Sequence, residues 1–285
     1  MNPGVIDVDA DGGTPLPRIR RAFAELSIGQ VHYATAGDRQ APAVLLLHQS
    51  PRSWMEYRPV LPLLGRRCHV IAMDTAGFGD SAPVAPPASI EKWAAVAAEL
   101  LATLQTGPAC VVGHHTGGVV AVELAAAHAA SVRALVLSST PYTDEAFRRA
   151  RAQRPPIDAV EPSDDGSHLA ALWQKRAGFY PAGRPELLEA FVLDALRASG
   201  DVEEGHRAVA SYRMEDRIGS IRQPTLILQA ARDPFTAPHA AELQALVPHA
   251  TRVTIDEGMV PLPDQLPAQF AAVILDFLAG LPRGA

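Results

Sequence analysis

Val111-Val112-Gly113-His114-His115-Thr116-Gly117-Gly118-Val119-Val120 is the stretch around which the chain can be read. Two β-branched residues run into a glycine, and after Gly117-Gly118 an apolar, helix-forming run extends from Val119 to Ala127. β-branched residues favour a pleated strand, while glycines permit a sharp turn and close backbone packing. The segment therefore predicts a strand, a tight turn and a helix. Gly113-His114-His115-Thr116-Gly117 also has the frame G-x-S-x-G, with His115 standing at the serine position.

Working outward, the same alternation recurs. Phe23-Leu26 and Val31-Ala34, separated by Gly29, predict a hairpin. Ala43-Val44-Leu45-Leu46-Leu47 is the uninterrupted apolar run expected of a strand buried on both faces. After His48-Gln49-Ser50-Pro51 a helix is predicted through Trp54, Tyr57, Val60 and Leu64. Cys68–Met73 is the next strand. A helix from Ile90 to Leu104 follows, with Ser89 as its N-cap and Glu91 in the first turn. Ala134–Leu137 is a further strand. From Pro141 to Ser220 strand signals vanish and three helices are predicted, over His168–Tyr180, Pro185–Ser199 and Glu203–Ile218. Strands resume at Pro224–Leu228 and Arg252–Ile255, and a last helix runs from Pro267 to Leu278. This βαβα rhythm predicts an α/β fold with a mostly parallel sheet covered by helices on both faces.

Composition narrows the function classes. With 48% hydrophobic and 20% charged residues, the 285-residue chain has the makeup of a soluble globular protein. Its net charge is −6 and no basic block occurs, which argues against a nucleic-acid face. Met1–Arg18 lacks the charged-then-apolar order of a signal peptide, and no apolar run reaches the length of a membrane span. The two cysteines, Cys68 and Cys110, sit beside apolar β-branched residues and read as core filler. These features predict a cytoplasmic protein with no nucleic-acid or membrane partner; a homodimer stays open.

Taken together, four landmarks resemble the α/β-hydrolase superfamily, in its order. His48-Gln49-Ser50-Pro51 stands where many members have His-Gly-x-Pro, the loop that lends a backbone N–H to the oxyanion hole. Asp74-Thr75-Ala76-Gly77-Phe78-Gly79-Asp80-Ser81 matches a D-x-x-G-x-G-x-S turn. Gly113–Gly117 matches the nucleophile elbow, and Ala231-Arg232-Asp233 places Asp233 where the family carries its triad acid. The resemblance implies a core over 19–140 and 221–285 and a helical cap over 141–220, while the polar, glycine- and proline-rich composition of 1–18 predicts a flexible N-terminal tail. It also marks two departures: His115 replaces the serine nucleophile, and in Asp256-Glu257-Gly258-Met259-Val260 the triad histidine is replaced by Met259.

A serine mechanism needs a hydroxyl, a base and an orienting acid, and residue type removes the first two from their usual places. Imidazole is longer than a hydroxymethyl group, so His115 is expected to reach Asp233 directly or through one water. Such a dyad would orient the ring and leave its other nitrogen to activate water or remove a substrate proton. Thr116 and the Gln49-Ser50 loop would supply oxyanion donors. His48 would brace that loop, and Trp54 and Met259 would contact substrate. A zinc site on His48, His114 and His115 is disfavoured, because adjacent residues diverge and no zinc spacing is present. The reading is a cofactor-free and metal-free enzyme for a small apolar ester or carbonyl compound, hydrolytic first. A lyase, cyclase or isomerase using the same base, and a catalytically silent ligand-binding member, are the alternatives.

Overall fold

The computed structural model describes residues 15–199 and 201–281. Most of the tail expected over 1–18 lies outside the described residues. The chain opens on β1 (Arg20–Leu26) and β2 (Gly29–Ala36), an antiparallel hairpin whose register ends at Leu26↔Gly29. Gly29 takes φ +108°, which a side-chain-bearing residue rarely adopts.

Next come β3 (Ala43–Leu47), α1 (Leu61–Leu64), β4 (His69–Met73), α2 (Ile90–Thr103), β5 (Ala109–His114), α3 (Thr116–Ala127) and β6 (Val132–Ser138). An insertion then carries α4 (Glu145–Ala152), α5 (Ser167–Ala177), α6 (Pro185–Leu196) and α7 (Glu204–Ser211). The chain closes with β7 (Thr225–Ala230), α8 (His239–Leu246), β8 (Thr251–Ile255), α9 (Leu262–Gln265) and α10 (Pro267–Ala279).

All eight strands join one sheet in the order β1-β2-β4-β3-β5-β6-β7-β8. β2 meets β4 antiparallel, and every pairing from β4 to β8 is parallel. β3 and β4 are buried along their whole length, as their unbroken apolar runs require. One sheet face is covered by α2, α3 and α8, the other by α1 and α10, and each side has its own core cluster. Strand order reverses between β3 and β5. That is the switch point at whose carboxyl end open α/β sheets bind ligands.

The structure corrects the expected elements in three places. The helix expected from Trp54 to Leu64 is a 3₁₀ turn (Trp54–Tyr57) followed by the short α1, since Pro59 and Pro62 interrupt the helical ladder. Among the described residues the insertion holds four α-helices, not three. The helix expected over Glu203–Ile218 ends at Ser211 and gives way to 3₁₀ turns at Met214–Asp216 and Ile218–Ser220. α5, α6 and the segment between them build a small cluster from Leu172, Tyr180, Leu187, Leu188, Phe191 and Ala195, which closes on Val260 in the loop after β8. α7 packs instead into the main core through Ala208 and Val209. Among the described residues no helix is long and apolar enough to cross a membrane.

Candidate functional site

The turn between β5 and α3 is forced into shape by contact. A Cβ on Gly113 would lie 2.2 Å from the Gly117 carbonyl oxygen, and one on Gly117 would lie 2.0 Å from the Leu47 carbonyl oxygen. Only glycine allows α3 to start so close to the end of β3. Between these glycines His115 takes φ +47° and ψ −113°, a conformation that side-chain-bearing residues avoid. Its N–H donates to the Ser138 carbonyl, and its own carbonyl accepts from Gly118 and Val119 at the first turn of α3. The side chain is thereby projected over the carboxyl end of the sheet.

Asp233 arrives from the turn after β7, fully buried. His115 Nε2 lies 2.7 Å from Asp233 Oδ2, with no intervening water needed. The nitrogen–oxygen line falls outside aligned hydrogen-bond geometry. Asp233 Oδ2 also accepts from Thr236 Oγ1 (2.7 Å), and Oδ1 accepts from the Phe235 N–H (2.9 Å). Burial alone would raise this carboxyl's pKa. The adjacent His115 and the two hydrogen bonds outweigh burial and bring it down to about 2. An anionic Asp233 draws the Nε2–H tautomer of His115. The lone pair then sits on Nδ1, which has no partner among the described residues and opens into the ring's 14% exposure.

The neighbouring histidines have other duties. A carbonyl oxygen can only accept, so His114 Nε2–H donates to Val260 O (2.8 Å) and Nδ1 accepts from Ser138 Oγ (2.9 Å). His114 therefore ties β5 to β6 and to the loop that carries Met259. Burial, reinforced by His115, brings its pKa down to about 3, so it is neutral at neutral pH. His48 Nδ1–H donates to Gln49 O and Nε2 accepts from the Thr75 N–H, both in the interior. With both nitrogens of His48 and His114 engaged, these rings and His115 do not form a metal cradle.

The loop after β3 resolves unevenly. The Gln49 N–H donates to Glu56 Oε2, so it is not a donor toward the site. The N–H groups of Ser50 and Thr116 meet no protein acceptor among the described residues. These two amides flank the same switch point, because α3 begins against the carbonyls of Leu47 and His48. Trp54 is buried beside His32 and beneath Arg21, and its N–H donates to Asp74 Oδ1, so it belongs to the support of the loop. Met259 is half-buried, and its N–H donates to Gln265 Oε1. Phe235, beside Asp233, packs at a tilt against Phe179 of the insertion with ring centroids 4.6 Å apart.

Sequence reasoning missed Thr236, Ser138, Glu56 and Arg52. Thr236, three residues beyond the acid, and Glu56, seven residues beyond the unusual Gln49, carry no signal beyond residue type and proximity. Their roles depend on side-chain directions that only the fold sets.

A side chain presented on a strained strand-to-helix turn, opposed by a buried acid from the strand two places along the sheet, defines the α/β-hydrolase class of site. The family model described as alpha/beta hydrolase fold matches residues 42–259, and the chain belongs to that family. Among curated relatives, the chain is 38% identical over 92 residues to the soluble epoxide hydrolase of Corynebacterium sp. (strain C12), a match covering 32% of each protein. It is 28% identical to the pimeloyl-[acyl-carrier protein] methyl ester esterase of Neisseria meningitidis serogroup C, over 84% of this chain and 94% of that one. The match covers about a third or less of the length of the first curated relatives. The enol-lactonase from Burkholderia xenovorans LB400 shares the fold with a TM-score of 0.76 at 20% identity, over 90% of this chain and 100% of that one.

Proposed function

We propose that the protein is a cofactor-free hydrolase of small, fairly apolar esters or lactones, working through a His115–Asp233 dyad. The observation that carries this reading is the 2.7 Å approach of Nε2 to Asp233, which leaves Nδ1 open. Asp233 fixes the tautomer. Nδ1 takes a proton from water as the water oxygen attacks the carbonyl carbon. The Ser50 and Thr116 N–H groups hold the oxygen that becomes negative. Collapse of the tetrahedral intermediate expels the alkoxide, which regains the proton from Nδ1–H. One water is consumed and the acid and alcohol are released, with no acyl-enzyme on the path. The insertion acts as a cap, with Phe179 on Phe235 as part of its apolar wall. Hydrolysis is also what the names of several relatives state, among them an epoxide hydrolase and a methyl ester esterase.

Purified protein assayed with p-nitrophenyl acetate, p-nitrophenyl butyrate and small lactones tests this. His115→Ala and Asp233→Asn should each lower kcat by roughly 10²–10⁴, and pre-steady-state traces should lack a burst of p-nitrophenol. Turnover that survives both substitutions would sink the assignment. A base with two N–H donors and no hydroxyl nucleophile also suits proton abstraction beside a carbonyl. In that second reading ketone probes exchange deuterium from solvent while esters stay intact.

A further inference from the structure

The loop that carries the Ser50 N–H is held by a buried charge cluster. Gln49 is gripped twice by Glu56: its N–H donates to Oε2 (2.9 Å) and its Nε2 to Oε1 (2.5 Å). The Gln49 carbonyl in turn accepts from His48 Nδ1–H (2.8 Å) and from the Arg52 N–H (2.9 Å). A peptide unit is planar and, away from proline, trans, so fixing the Gln49 carbonyl sends the Ser50 N–H the opposite way. Ser50 itself is capped from above, since a Cβ on Gly205 of α7 would sit 1.9 Å from its Oγ. Glu56 is fully buried. Arg52 approaches it at 4.0 Å while binding Asp194 of α6 and Asp264 of α9 at 2.7 Å each, and its Nη1 has no hydrogen-bond partner among the described residues.

We propose that Glu56 is a positioning residue whose carboxylate, by accepting both N–H groups of Gln49, aims the Ser50 N–H at the site, so that protonation of Glu56 loosens the oxyanion donor. This rests on the reading of Ser50 as an oxyanion donor. The two Gln49 N–H groups each need an acceptor oxygen on Glu56, and protonation turns one of those oxygens into a hydroxyl donor. The charged and titratable groups around it are Arg52, Asp264, Tyr57 and Tyr180, with Asp194 one step away on Arg52. Burial, opposed by Arg52 and the Gln49 hydrogen bonds, pushes the carboxyl up to about 7. The donor would then tighten across the neutral range.

Two measurements decide this. The first follows the backbone amide resonances of Gln49 and Ser50 from pH 5.5 to 8.5 in His115→Ala protein, which removes the nearby imidazole. Both should titrate together near neutrality, and Glu56→Gln should abolish the step. Amides that stay fixed, or that move equally in Glu56→Gln, overturn the proposal. The second is p-nitrophenyl acetate turnover. Glu56→Gln should lower kcat roughly ten- to hundredfold, less than outright loss of an oxyanion donor, with KM within about threefold. The acid limb of kcat should lose one ionisation. An unchanged kcat in Glu56→Gln overturns the proposal as well. If the wild type turns over no ester at all, the hydrolase reading fails, and the amide titration still decides Glu56. If Glu56→Gln does not fold, the titration in His115→Ala decides alone.

Discussion

His114 and His115 are adjacent imidazoles with rings 4.7 Å apart, and their partners divide their roles. His115 keeps one nitrogen open beside Asp233, whereas His114 spends both nitrogens on Ser138 and Val260. The cost of that second arrangement falls on acid stability. His114 is brought down to about 3 in the fold against 6.5 when free, so between these values the unfolded chain binds the extra proton. Its contribution is complete above pH 6.5 and is lost as pH falls toward 3. Asp233, brought down to about 2, adds a loss of the same sign below pH 3.8. Glu56, pushed up to about 7 from an ordinary 4.5, acts with the opposite sign between those values and offsets His114 there. The urea midpoint should therefore fall chiefly below pH 4.5. His114→Asn should start lower, for want of its two hydrogen bonds, and fall less over the same interval. Parallel curves would refute the assignment. From sequence, the frame of the turn and the replacement of serine by His115 were both legible. The partners that hold each ring were not, because Ser138 and Val260 meet His114 only once the sheet and the loop after β8 are in place.

Elements explain why parts of the molecule were readable and others were not. The parallel strands announced themselves because both their faces are buried, so nearly every residue must be apolar. α3 followed from the glycines that let it start against β3. α4 went unnoticed because it has no buried residue and hence no apolar stripe; its start is set by Asp144, whose side chain accepts from the Phe147 N–H. β8 reads weakly because it is an edge strand exposed at four of its five positions. The contact between α7 and the loop after β3 was invisible, since Gly205 and Ser50 gain meaning only when apposed. Gly205→Ala would bring its Cβ within 2.3 Å of the Ser50 Cβ. It should cost about 1–3 kcal/mol, as overpacking does. Ser50→Gly in the same chain should recover most of that loss, and the double-mutant cycle measures the coupling. Additive losses in thermal or urea unfolding would mean that α7 does not bear on this loop.

At the scale of the whole molecule, Arg52 joins three parts of the chain that are far apart in sequence. Its guanidinium is wholly buried and donates to Asp194 of the insertion and Asp264 of α9, while Ser53 Oγ donates to the other oxygen of Asp194. Three carboxylates, counting Glu56, surround one fixed positive charge. Burial opposes that charge, but Asp264 and Asp194 outweigh it and hold Arg52 firmly protonated. Asp264 itself is raised by burial despite the partner, which leaves the cluster dependent on the one cation. Breaking a buried pair from one side is costlier than never having built it, because the remaining charges stay in a medium that solvates them poorly. Arg52→Met should therefore lower stability by about 3–5 kcal/mol. Adding Asp194→Asn should give part of this back, since it removes one stranded carboxylate. Urea unfolding followed by tryptophan fluorescence and by far-UV circular dichroism checks both. If Arg52 welds insertion to core, the two probes coincide in the wild type and separate in Arg52→Met, where the insertion loosens before the sheet. Coincident transitions in the variant, at an unchanged midpoint, would show that apolar contacts alone hold the insertion against the core.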